Sequence, residues 1–190
     1  MNMRNATIIL FIIAAAAVLI AGCSSPGTAG SSGPGSGLTT LEPSAMVLQA
    51  SDLPAGYTLK EEQQTDPSRM DPSIWSVKKG YEVAFTRGSG ATDTDVLVES
   101  LVTEPADKVG QQIAILTGEY ARKGVKPVQL SGPVIGDASS AFTVTVPQQG
   151  DTYLMIFTRK DAVVLLMMSG PHKDYAALQS IAEKAAGKIQ

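Results

Sequence analysis

The stretch 152-TYLMIFTRKDAVVLLMMS-169 holds two β-rich runs, Thr152 to Arg159 and Ala162 to Ser169, separated only by Lys160-Asp161. Two such runs about a two-residue polar break make a tight hairpin. From Ala162 to Met168 no residue is polar, so neither face of that strand suits water and it belongs in the middle of a sheet. A sheet with an apolar face must bury it against another layer, and the remainder of the chain offers helices for that purpose. The expected fold class is α+β, an antiparallel β-sheet with helices packed on it.

Reading outward from the hairpin, Lys173 to Ile189 places Tyr175, Leu178, Ile181, Ala182, Ala185 and Ile189 at helical spacing, so a closing helix lies on the sheet. Upstream, Ala141 to Val146 reads as a strand joined to the hairpin through Pro147-Gln148-Gln149-Gly150-Asp151, and Val128 to Leu130 as a short one. Val109, Ile113, Leu116 and Tyr120 form one helical stripe that stops at Gly124. Tyr81 to Arg87 and Asp95 to Thr103 flank the turn-forming Gly88 to Thr94 and read as another hairpin. The domain opens with a short helix over Pro43 to Ala50, for which Thr40 is the expected cap. It is stopped by Asp52 to Gly56 and followed by a strand over Tyr57 to Glu62 and an exposed loop over Gln63 to Ser73.

The two hairpins share a pattern. Tyr81 and Phe85-Thr86-Arg87 have the spacing of Tyr153 and Phe157-Thr158-Arg159, and Asp95, Val98, Pro105 and Ile115 align without gaps on Asp161, Val164, Pro171 and Ile181. Two strand-strand-helix repeats account for this; so does convergence, since any β-hairpin favours aromatic and β-branched residues.

The first 22 residues have the three-part plan of an export signal: a cationic start at Arg4, an apolar run from Ala6 to Ala21, then small residues. The apolar run is shorter than the roughly twenty residues a membrane-crossing helix needs, which favours cleavage over a retained anchor. Ile20-Ala21-Gly22-Cys23 resembles the lipobox of prokaryotic lipoproteins. That resemblance implies cleavage between Gly22 and Cys23 and lipidation of Cys23, the only cysteine. Two or three chains buried at about 0.8 kcal/mol per methylene would hold the protein at the outer face of the cell membrane. No intrachain disulfide and no cysteine-based metal site is then available.

Residues 23–38 comprise this cysteine and a Ser, Gly, Pro and Thr linker with nothing to bury, a flexible coil spanning roughly 20 Å. Residues 39–190 are expected to form one extracytoplasmic domain. Without Arg4 the chain carries 14 basic residues (15 less one) against 18 acidic ones. Nothing in that balance points to nucleic acid or to anionic headgroups.

Chemistry is sparse. His172 is the only histidine, there is no nucleophile elbow, phosphate loop or dinucleotide motif, and no cofactor or metal site is expected. Asp93, Asp95 and Glu99 could offer oxygens to calcium, but a solvated hairpin tip is the simpler account. Glu61, Glu62 and Asp66 read as surface charge. Met155, Met167 and Met168 alternate with leucine and isoleucine and read as core rather than as a copper(I) array.

Ser51-Asp52-Leu53-Pro54-Ala55-Gly56-Tyr57, Ile135-Gly136-Asp137-Ala138 and the closing hairpin with its helix resemble extracytoplasmic sensor-like and PsbP-like α+β lipoprotein domains. The resemblance implies a module without established catalysis. The expected function is therefore a membrane-anchored, non-catalytic module that binds a ligand or an envelope protein partner. Its site would lie on an exposed sheet face or along the Gln63 to Ser73 loop, with Tyr57 and Trp75 as the contact residues. The alternative is an extracytoplasmic hydrolase whose carboxylates converge only in the fold.

Overall fold

The computed structural model describes residues 38–72, 74–90, 92–122, 126–146 and 150–190, so Gly22, Cys23, most of the linker and the stop at Gly124 lie outside the described residues. Seven strands, β1 (Thr58–Gln64), β2 (Lys79–Gly88), β3 (Thr94–Thr103), β4 (Val128–Leu130), β5 (Ala138–Val146), β6 (Gly150–Arg159) and β7 (Ala162–Ser169), form one sheet. The order is β1-β2-β3-β7-β6-β5-β4 and each neighbouring pair is antiparallel. The apolar β7 is the central strand, as its lack of alternation implied. Its hairpin with β6 closes over Lys160-Asp161, with Lys160 at φ 54°.

Helices cover both sides of this sheet. On one side lies α4 (Tyr175–Lys188), capped by Asp174, whose side chain accepts from Ala176 N. Leu178, Ile181, Ala182, Ala185 and Ile189 pack there on Phe85, Leu97, Leu101, Phe157, Val164 and Leu166. Residues 38–53 run over the same α4 face and bury Met46, Val47, Leu48 and Leu53 in it. On the other side, α2 (Ala106–Val109) and α3 (Gln112–Arg122) bring Val109, Ile113, Leu116 and Tyr120 against Val98, Val102, Leu154, Ile156, Val163 and Met167. Met167 thus points away from Met155 and Met168, and the three thioethers do not share a face.

Several boundaries differ from the sequence reading. The opening helix α1 is only Pro43–Met46, followed by a 3-10 turn over Ala50–Asp52, because the backbone turns extended at Val47 and Gln49 between them. Thr40 does not cap it; its amide donates to the Gln190 carbonyl at 3.1 Å. Gln63 and Gln64 belong to β1 rather than to the loop, which holds its own 3-10 turn over Pro67–Arg69, capped by Asp66. As an edge strand, β1 is exposed, charged at Lys60, Glu61 and Glu62, and bulged between Leu59 and Glu61, features that discourage pairing with another chain.

The two strand-strand-helix units share an order but not a layer. Phe85 and Phe157 both face α4 and pair with Leu97 and Val164 respectively, so the structural match offsets the second strands by one residue from the gapless alignment. A one-residue slip exchanges faces. Val98 accordingly faces α3 while Val164 faces α4, and the helices α3 and α4 sit on opposite sides. The hairpins match; the helices that follow do not.

Candidate functional site

The two faces are covered unequally. Among the described residues, the α4 face has 23 buried hydrophobic residues and four half-buried ones, a closed core. The α3 face has nine of each. Ala84, Val96 and Leu165 of the sheet, Met70, Trp75 and Val77 of the preceding loop, and Ile113, Leu116 and Tyr120 of α3 all remain half-buried there. The eleven-residue α3, with α2 and the loop before β2, leaves these residues of β2, β3 and β7 only half-buried. Trp75 is among these half-buried apolar residues, and tryptophan is the kind of group that supplies contact energy at low entropic cost.

Trp75 is held in place by a buried polar clamp. Glu104, immediately beyond β3, has no exposed surface; its Oε1 accepts from Ser76 N at 2.8 Å and its Oε2 from Gln112 Nε2 at 2.6 Å. The same Gln112 amide donates to the Ile74 carbonyl at 3.1 Å, so the residues on both sides of Trp75 are tied to α3 and to the sheet. Burial raises the Glu104 carboxyl, opposed by the Ser76 amide, the Gln112 side chain and Lys108. Removing the amide in Gln112→Ala is expected to cost about 1–3 kcal/mol, since one carboxyl oxygen loses its partner in a buried site. Emission from Trp75, the sole tryptophan, should shift to the red as the loop loosens.

Tyr57 is not part of this surface. It lies buried on the α4 face, and the guanidinium of Arg87 stands over its ring, 4.8 Å from the centroid. Tyr57 and Trp75, expected to share a site, are on opposite sides of the sheet. The reason is local: both lie in connecting segments, where no periodicity assigns a face.

Tyr57 instead belongs to a polar cluster at the Arg87 end of the strands. Arg87 Nη2 and Nε donate to Asp95 Oδ2 at 2.7 and 3.1 Å, and the His172 amide donates to Asp95 Oδ1 at 2.8 Å. The His172 imidazole lies 3.6 Å from Asp93 and 3.7 Å from Asp95. His172 precedes the helix cap rather than starting the helix. Asp95 is committed to Arg87, and Glu99 lies four residues further along β3, about 13 Å at strand rise. The three acids considered for calcium therefore do not converge, and no three His, Cys, Asp or Glu side chains gather as a metal site among the described residues.

This cluster and the start of the domain are at opposite ends of the sheet. The Thr39 amide donates to Asp161 Oδ1 at 2.7 Å and Glu42 pairs with Lys79 at 2.6 Å, both beside Thr103. Asp95 is eight residues from Thr103, about 27 Å. The segment carrying the linker thus enters at one pole, and Arg87, Asp95 and His172 crown the other.

No family model matches the sequence, and no curated protein matches it. Among solved structures, the fold is similar to the crystal structure of the extracellular domain of PknH from Mycobacterium tuberculosis, with a TM-score of 0.59 and 12% sequence identity. The match covers 80% of this chain and 97% of that one. At such low identity the likeness is one of fold: an antiparallel sheet with helices on it.

Proposed function

We propose that this chain is an exported lipoprotein, anchored at the outer face of the membrane through Cys23, whose domain binds a ligand or an envelope partner on the α3 face without converting it chemically. The carrying observation is the set of nine half-buried apolar residues that includes Trp75, against four on the opposite face. The export signal and lipobox support the address, and the fold of a kinase's extracellular domain is in keeping with it.

The hydrolase alternative gains little support. The buried acids with raised carboxyls, Glu99 and Glu104, sit apart: Glu99 under residues 38–53 on the α4 face, Glu104 bonded to Gln112 of α3. Two carboxylates must share one cleft to divide acid and base roles.

Three measurements test the proposal. Cell fractionation of wild type and Cys23→Ala is expected to leave the first with membranes and to release the second to the soluble exported fraction; equal membrane retention would remove the lipid anchor. For the binding surface, a photo-crosslinking residue at Leu116 should capture a partner in intact cells, and one at the exposed Val134 should not. Trp75→Ala should weaken the Leu116 product. Native mass spectrometry of the purified protein covers a small ligand. If Leu116 yields no adduct and no ligand is carried, the binding reading fails.

A further inference from the structure

Residues 38–53 form a strap that runs the length of the α4 face from the linker pole toward Tyr57. The segment has only one short helix and one 3-10 turn of its own. Its buried side chains, Pro43, Met46, Val47, Leu48 and Leu53, are set against the entropy of ordering some sixteen residues, so the balance is close enough for its polar fastenings to tip. Most of these are peripheral: Thr39 to Asp161, Thr40 to Gln190, Glu42 to Lys79, and Asp52 to Lys184 and to Lys188, the last at 2.7 Å.

One more is central. The Leu48 amide donates to Glu99 Oε2 at 2.6 Å, and Glu99 has no exposed surface. Across the sheet its partners are Val83 and Leu166, both apolar. The second oxygen, Oε1, makes no hydrogen bond. The charges facing it are Lys188 of α4 and Asp52 of the strap. Lys188 is held by the Asp52 carboxylate and Lys184 by the Asp52 carbonyl, so neither ammonium is given over to Glu99.

We propose that Glu99 is a proton-operated latch on this strap: neutral, the carboxyl can stay buried beneath Leu48 and the strap lies shut, whereas ionised, its charge in that apolar pocket outweighs the firmer bond from the Leu48 amide and residues 38–53 lift while the sheet stays folded. Burial pushes the Glu99 carboxyl up to about 8, opposed by the Leu48 amide and by Lys188 and reinforced by Asp52. In the lifted state the carboxyl meets water and returns to its ordinary value near 4.5. The shut form therefore binds the proton more tightly, and its advantage, complete below the lower value, is lost as pH rises toward 8. Across that window one proton is released per opening, so the opening constant climbs about tenfold per pH unit.

Hydrogen exchange of the full chain, read by mass spectrometry at pH 5.5, 6.5 and 7.5 and corrected for the intrinsic rate, tests the latch. Peptides covering 43–53 should open about tenfold more per pH unit while β3 and β7 peptides keep their protection. In Glu99→Gln, which keeps an acceptor for Leu48 but cannot ionise, the strap should show no such slope. Should that variant not fold, Glu99→Met fills the same space without a charge and should be equally flat. Strap and sheet peptides opening together, or the same slope in the uncharged variant, would overturn the proposal.

Discussion

Arg87→Ala is expected to destabilise the domain by about 2–4 kcal/mol at pH 7, measured by urea unfolding. Breaking a buried ion pair by removing one partner typically costs about 3–5 kcal/mol, and the estimate is lowered here because Arg87 is about a third exposed. Asp95, only 1% exposed, would be left without its counter-charge. It cannot swing out to water. Gly170, at φ 114°, lies so close that a Cβ would sit 2.5 Å from Asp95 Oδ1, and the His172 amide fixes that same oxygen.

The pH dependence follows from the same geometry. In the wild type, burial pushes the Asp95 carboxyl up, but the hydrogen bonds from Arg87 and His172 and the guanidinium charge together hold it below its ordinary value of 3.8. That contribution is present above pH 3.8 and is lost as pH falls through the lower, folded value. Without Arg87 the desolvation remains and the carboxyl rises, so protonation relieves the variant and its deficit should shrink between pH 7 and pH 4.5. Asp95→Asn should cost less at neutral pH, because the partly exposed Arg87 can turn to solvent. The reverse ranking would show that the bond from the His172 amide to Asp95 outweighs the one from Arg87.

Phe157→Ala is expected to be costlier, about 3–5 kcal/mol, with an unchanged urea m-value. Phe157 has no exposed surface, lies between Ser139 and Val164 in the sheet, and faces α4. Its surroundings are strands and a packed helix, which relax little into the space a phenyl ring leaves. Trp75→Ala, on the half-covered α3 face, should cost well under half as much and act mainly on crosslinking from Leu116. If Trp75 proves as costly as Phe157, the α3 face is core and not a docking surface.

The contrast between these residues shows what the sequence could disclose. Phe157 and the central place of β7 were legible because strand periodicity ties each residue to a face and an all-apolar run leaves only one position in a sheet. Trp75 and Tyr57 carry no such label, and their separation needed the three-dimensional structure. Glu99 is legible too: in Val96-Leu97-Val98-Glu99-Ser100-Leu101-Val102, alternation aligns it with Leu97 and Leu101, which marks an acid pointing into the core. The Arg87–Asp95 pair likewise follows from two opposite charges placed symmetrically about the turn that closes β2 and β3. The clamp of Glu104 and Gln112 was hidden, because it joins a loop residue to two elements that no local pattern connects.

The course of residues 38–53 also sets how the domain would carry a load. A force applied between residue 38 and the Arg87 pole runs parallel to the strap and to the strands. The strap's contacts at Asp161, Lys79, Glu99 and Lys188 would then be sheared together instead of peeling in turn. The bond from Thr40 to the Gln190 carbonyl, beside the point of entry, would be loaded with them. The tension path is a single segment, and Glu99 sits at its midpoint.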